Sequence, residues 1–472
     1  LLIPLNLNEV SLFNCTNLDK SIKASLNFII LIMNSNLSLL IRHARILSPT
    51  GQFFLGDVLT RDGQIVEIAP EINTSVAKEI DANGLTLLPG VIDPQVHFRE
   101  PGLEHKEDLF TASCACARGG VTSFLEMPNT RPLTITQAAL DDKLERAAAK
   151  CLVNYGFFIG ATPANLPDIL DANPTCGIKI FMGSAHGHLL VEHEAELEPI
   201  FAKGKRLIAV HAEDQARINQ RKQEFADITD PAIHSTIQDN QAALNATLLA
   251  LKLSKKYQRR LHILHLSTAE EAELLRVDKP TWVTAEVTPQ HLLLNTSAYE
   301  KIGTLAQMNP PLRSLHDNEV LWQALLDGVI DFIATDHAPH TLEEKAKGYP
   351  NTPSGMPGVE TSLPLMLTQA MQGRCTVPQV ANWMSTAVAK AYGIPNKGLI
   401  EPGYDADLVL VDLENYHPVL REEVVSKCGW SPFEGWNLTG WPVITIVGGQ
   451  VVYEKGKLHT EVRGQALSFD EG

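Results

Sequence analysis

Between residues 91 and 395 the chain repeats one pattern: a short apolar run that stops at a polar or small residue, followed by a stretch with helical spacing. The runs end near His97, Met127 (TSFLEM), Gly160 (NYGFFIG), Met182 (GIKIFM), His211 (LIAVHA), His265 (LHILHL), Val287 (WVTAEV) and Asp336 (FIATDH). A brief apolar run bounded by helices reads as a strand buried on both faces, which a parallel sheet covered by helices provides. Eight such units predict an α/β protein with a (β/α)8 TIM-like barrel, a fold that gathers its active site at the strand C-termini.

The flanks read differently. LSLLIRHARIL, GDVLTRDGQIVEIA and LTLLPGVI precede the barrel, with Asp62-Gly63 as a hairpin turn, and DADLVLVDL and VITIVGGQVVYEKG follow it. Their pairing predicts a small β-sandwich domain built from both ends of the chain, residues 37–90 and 396–462, around a catalytic barrel at 91–395. Residues 1–36 are Asn-rich and begin without Met, and are expected to be a disordered or non-native extension with Met33 as the true start. The apolar run 28–33 is far too short to cross a bilayer.

With 39 basic and 55 acidic residues, the formal charge of −16 argues against nucleic acid or an anionic membrane as partner and favours a small-molecule substrate. The seven cysteines contain no CxxC pair, as expected of buried thiols in a reducing cytoplasm.

The polar residues at the strand ends carry the chemistry. The first strand offers Gln95 and His97, the fourth Lys179, the fifth His211, the sixth His265 and the eighth Asp336. Period-two alternation aligns Lys179 with Gly177 and Phe181, His265 with Ile263, and Asp336 with Ala334, and turns His262 toward the outer helices as a packed structural histidine. A lone histidine at a strand end is usually a hydrogen-bonded core residue. Three histidines, an aspartate and a lysine at one barrel mouth would each cost several kcal/mol to bury unpaired. Imidazoles with a carboxylate suit zinc or a similar ion.

DPQVHFREPG, GGVTSFLEMPNT, GIKIFMGS, VHAED, LHILHLST and IATDHAPH, in this order, resemble the amidohydrolase superfamily and most closely its dihydroorotases, from Leu37 to about Lys457. The resemblance implies that Lys179 is carboxylated and bridges two metal ions, one held also by His211 and His265, the other by His97 and Asp336. It implies reversible hydrolysis of dihydroorotate to N-carbamoyl-aspartate in pyrimidine biosynthesis, with Asp336 moving the proton. It also implies that Arg99, Asn129 and His340 hold the substrate carboxylate, with Asn309 and the loop PSGMPGVE as pocket wall. The expected setting is a cytoplasmic homo-oligomer, dimer or tetramer, with aspartate transcarbamoylase as a candidate partner.

In one place the chain departs from the family pattern, which ends its first strand in His-x-His: here Gln95 takes the first histidine's place. An amide oxygen is a weaker zinc ligand than imidazole, so one tightly bound ion and a second weak one are expected. Gln238, where related dihydroorotases often carry Arg, is a further departure, and after the fourth strand Ser184, His186 and His188 are within reach of a substrate. Two alternatives stay open: an allantoinase- or hydantoinase-type cyclic amidase, against which Arg99 speaks, and a catalytically impaired dihydroorotase-like partner protein, which Gln95 favours.

Overall fold

The computed structural model describes residues 37–184 and 187–470, so the expected N-terminal extension and His186 lie outside the described residues. Five strands open the described chain: β1 (Ser38–Leu47), β2 (Phe53–Arg61), β3 (Gln64–Ala69), β4 (Lys78–Asp81) and β5 (Thr86–Pro89). Asp62 and Gly63 join β2 to β3 with φ of 50° and 84°, the doubly left-handed turn whose twist matches that of the flanking strands.

The barrel strands follow as β6 (Val91–Val96), β7 (Val121–Glu126), β8 (Asn154–Phe157), β9 (Ile159–Gly160), β10 (Ile178–Phe181), β11 (Ile208–His211), β12 (Leu261–Ile263), β13 (Val283–Val287) and β14 (Phe332–Ile333). The chain closes with β15 (Leu408–Pro418), β16 (Asn437–Val447), β17 (Gln450–Glu454) and β18 (Lys457–Leu458).

β5 ties the two chain ends together, since it pairs parallel with β1 and antiparallel with β15 in a nine-stranded sheet. Ile41, Ile46, Val58, Leu87, Leu408 and Ile446 meet in its core and form the small β-sandwich. The helix Leu109–Gly119 packs against both β7 of the barrel and β16 of the sandwich, which is why Cys114 and Cys116 are both buried although they point in different directions.

The barrel has eight strand positions, the third of them split at Phe158 into β8 and β9. It closes where His97 N donates to His337 O at 2.7 Å. Ile178, Ile180, Ile208, Val210, Leu261, Ile263, Val283 and Ala285 pack outward with the helices. Inside, Ile92, Leu125, Phe158, Ala209 and Phe332 meet Val388, Ala389 and Tyr392 of the helix Ala387–Tyr392, which plugs the end where the strands begin.

Period-two counting misplaces one histidine. Ile263 packs outward and His262 lies inside the barrel, its ring stacked 4.8 Å from Phe332, Nδ1 2.8 Å from Thr284 Oγ1 and Nε2 2.9 Å from Glu286 Oε2. The reason is local: β12 ends at Ile263, and His265 sits at φ 36°, so the alternation is broken before the second histidine. Burial drives the Glu286 carboxyl well above its ordinary range and His262 down to about 3.

Candidate active site

Gln95, His97, Arg99, Asn129, Lys179, His211, His265, Asn309 and Asp336 line one cavity of about 100 Å3 at the C-terminal ends of the barrel strands. Larger cavities exist, of about 490 Å3 beside the sandwich and about 390 Å3 at the far end of the barrel, but neither is lined by a histidine. Four of the ten non-glycine residues with positive φ among the described residues line the small one: Arg99 (69°), Ser184 (55°), His265 (36°) and Asp336 (48°). Such backbone is unfavourable for these residue types and persists where the surroundings hold it, characteristically at functional sites.

The site has two halves. In one, His211 and His265 lie edge to face with ring centroids 4.5 Å apart. His211 Nε2 is 2.7 Å from Glu213 Oε2, which leaves Nδ1 for the cavity, and the buried Nδ1 of His265 has no partner. Burial would raise the Glu213 carboxyl, but the bonds from His211 and from Ser184 Oγ (2.6 Å) outweigh it and hold Glu213 below its usual range. Gly183 makes this possible, because a Cβ there would lie 2.3 Å from Glu213 O. With its amide nitrogen turned to Glu213 Oε1 (3.0 Å) and Asn309 Oδ1 (3.1 Å), Gln238 links this half to Asn309, and Asn309 Oδ1 also accepts from His234 Nε2 at 2.8 Å.

In the other half, His97 Nε2 and Gln95 Nε2 both lie 3.1 Å from Asp336 Oδ1, leaving Oδ2 uncommitted. Asn129 Oδ1 is 2.7 Å from His97 Nδ1. A proton on Nδ1, which that contact requires, leaves a lone pair on Nε2 facing a carboxylate oxygen. Burial lowers the His97 pKa against the pull of Asp336, so the ring favours the neutral form that cannot satisfy both neighbours. Gln95 Oε1 is buried with no partner.

Lys179 lines the same cavity, its Nζ 4.4 Å from the Phe181 ring centroid, and burial pushes its pKa down to about 7 against the attraction of Asp336 and Glu286. Among the described residues no three His, Cys, Asp or Glu side chains converge closely enough to hold a metal by themselves. Two pairs of donors with an additional anionic group from Lys179 would make up the number. The orphaned Gln95 Oε1, the orphaned His265 Nδ1 and the opposed lone pairs of His97 and Asp336 are what cation-binding residues look like without their cation.

Arg99 forms no ion pair with Glu100 or Glu104: Glu100 is engaged by Arg146 and Lys150, and Glu104 accepts from Gly102 N. Instead Arg99 is buried on the cavity wall with Nε donating to Pro339 O at 3.1 Å and Nη2 3.2 Å from His340 Nε2. Burial lowers its pKa to about 10, and no carboxylate hydrogen-bonds it among the described residues. His340 stands behind Arg99 rather than on the cavity wall, kept neutral by burial and by Arg99 and Lys106 beside it. His188 is exposed. Glu213 falls in the motif VHAED and Glu286 in the strand-like run WVTAEV, where no spacing marks either as part of the site.

The amidohydrolase family model matches residues 86–452, and the chain belongs to the amidohydrolase family. It is accordingly a hydrolase. Among its relatives is a dihydroorotase of Methanosarcina acetivorans, 36% identical over 428 residues, 87% of this chain and 91% of that protein. A dihydroorotase of Bacillus cytotoxicus is 34% identical over 425 residues, 88% of this chain and 98% of that protein. Among solved structures, the L-hydantoinase of Arthrobacter aurescens superposes with a TM-score of 0.87 at 32% identity, covering 91% of this chain and 99% of its own. The dihydropyrimidinase of Brevibacillus agri gives 0.86 at 26% identity, with 92% and 99% covered. Among the described residues no helix is long and apolar enough to cross a membrane.

Proposed function

We propose that the protein is a dihydroorotase, opening the ring of (S)-dihydroorotate to N-carbamoyl-L-aspartate and closing it again in pyrimidine biosynthesis. The observation that carries this reading is Arg99, a buried guanidinium on the cavity wall without a carboxylate of its own. A substrate carboxylate supplies the missing anion, and a planar fork receives it in two bonds. Pro339 O holds the guanidinium in position, and Asn309 offers an amide to the rest of the ring.

His211 and His265 would hold one zinc ion, His97, Asp336 and the oxygen of Gln95 a weaker second, with a carboxylated Lys179 between them. Bound metal supplies polarisation of the ring carbonyl and a more acidic water. With its pKa pushed down to about 7, the Lys179 amine has a substantial neutral fraction at neutral pH, and the neutral form is the one that takes up carbon dioxide. Asp336 Oδ2 takes a proton from the attacking water and passes it to the ring nitrogen as the carbon–nitrogen bond breaks, giving a ureido group and a carboxylic acid that releases its remaining proton to solvent. Gln95 Nε2 donates to Oδ1, so the carboxylate turns Oδ2 to the reaction.

A second reading, a hydantoinase-type cyclic amidase, is favoured by the likeness to the L-hydantoinase structure. Side-by-side turnover of dihydroorotate, allantoin and dihydrouracil, whose ring lacks the carboxylate, separates the two. We expect dihydroorotate to be strongly preferred and Arg99→Ala to raise its KM by on the order of 30-fold or more, with metal content unchanged. Equal turnover of dihydrouracil, or an unaltered KM in the variant, would overturn the assignment. The reading places the enzyme in the cytoplasm as a homo-oligomer.

A further inference from the structure

Arg99, Lys106, His340 and Glu344 meet at and behind the wall of the barrel mouth, and their hydrogen bonds admit one placement of the His340 proton. His340 is buried, its backbone oxygen accepting from Trp430 Nε1 at 2.8 Å. Its ring has three polar neighbours: Nδ1 lies 3.1 Å from Lys106 Nζ, while Nε2 lies 3.0 Å from Ser354 O and 3.2 Å from Arg99 Nη2. Burial, then the charges of Arg99 and Lys106, holds the imidazole well below its ordinary pKa, so the ring carries a single proton.

Two of the three contacts decide where that proton sits. Ser354 O can only accept, which calls for a proton on Nε2. Lys106, an ammonium paired with Glu344 Oε1 at 3.1 Å, can only donate, which calls for a lone pair on Nδ1. Arg99 Nη2, itself a donor, then faces an N–H and not a lone pair. His340 gives the guanidinium no acceptor, and Nη2 is left over once Nε has donated to Pro339 O. Gly355 lets the loop carrying Ser354 O close on the ring, since a Cβ there would lie 2.4 Å from Ala338 O and 3.0 Å from His340 Cδ2.

The opposite tautomer also has a partner at hand. Glu344 Oε2 lies 3.6 Å from His340 Nδ1, close enough to draw the proton to that nitrogen if Lys106 were removed. The lone pair would then fall on Nε2, where Arg99 Nη2 would be spent on it.

We propose that Lys106 is a positioning residue for substrate binding: by donating to Nδ1 it holds the His340 proton on Nε2 and so keeps Arg99 Nη2 open to a substrate carboxylate. The inference rests on the reading of Arg99 as the partner of that carboxylate.

The test is the tautomer of His340, read from two-bond correlations between ring nitrogens and ring hydrogens in the metal-loaded full chain labelled with 15N-histidine, and assigned by the signals lost in His340→Gln. Wild type should carry the proton on Nε2. Lys106→Met should move it to Nδ1 and raise KM for dihydroorotate by about fivefold or more, with kcat within about twofold and metal content unchanged. Lys106→Arg, which restores a charged donor, should bring back both the tautomer and KM. A wild-type proton on Nδ1 would overturn the proposal without any variant. So would a proton that stays on Nε2 in Lys106→Met, because a raised KM would then report only a lost charge, or a moved proton with unaltered KM. The tautomer is read on unliganded protein, so it can be settled whether or not dihydroorotate is the substrate; absence of wild-type turnover alone would refute the substrate assignment.

Discussion

The two halves of the barrel mouth are built from the same materials to different effect. His211 and His265 present two imidazoles, and the first of them is locked by Glu213, itself held by Ser184. His97 and Asp336 present one imidazole and one carboxylate, and Gln95 beside them donates its amide nitrogen to Asp336 while its oxygen goes unused. Backing carboxylates raise the basicity of a ligand histidine and fix its tautomer, whereas the amide backing His97, from Asn129, fixes the tautomer without adding charge. On the proposed reading the two halves should therefore differ in strength as metal sites.

The largest effect is expected from the residue common to both. Lys179→Ala should lower turnover by on the order of a thousandfold or more and strip metal from both halves, with partial rescue by added short carboxylic acids. Its pH dependence has a definite sign. The Lys179 amine titrates near 7, so reconstitution of metal-free protein with bicarbonate should be complete above that pH and fall as the amine is protonated below it. Reconstitution that is indifferent to pH between 5.5 and 8.5, read by metal uptake, would show that Lys179 carries no carboxylate.

Glu213→Gln should act on one half only, weakening the tighter ion by about 10- to 100-fold while leaving the other unchanged. Equal losses in both positions, measured by metal titration, would erase the distinction. The smallest effect belongs to Gln95→His, which should strengthen the weaker position by about tenfold if an imidazole is worth about 1.4 kcal/mol more than an amide oxygen. No change in metal affinity would make Gln95 a competent ligand or a structural partner of Asp336.

Much of this architecture is readable in the sequence because it rests on hydrophobic periodicity. Each of the eight strand positions coincides with an apolar run, and Asp62-Gly63 turns as its composition dictates. The failures come where backbone geometry departs from regularity. His265 turns into the left-handed region just past a three-residue strand, so counting from it reverses the direction of His262. Lys179 lies within a regular strand and lines the cavity on the face that its alternation gives it. Glu213, Gln238 and Glu286 matter through contacts with residues far away in the chain or behind the cavity, which no local pattern encodes. Lys106 is of the same kind: it meets the His340 ring across 234 residues of chain.

The most direct test of the central claim, an active dihydroorotase site with unequal halves, is dihydroorotate turnover followed while metal-free, bicarbonate-treated protein is titrated with zinc. Activity should rise with the first equivalent and change again only at a zinc concentration about tenfold higher or more, as the half containing Gln95 fills. Turnover that stays absent at every loading would show a site that has lost its chemistry, and a single transition at two equivalents would show halves of equal strength; either result contradicts the account.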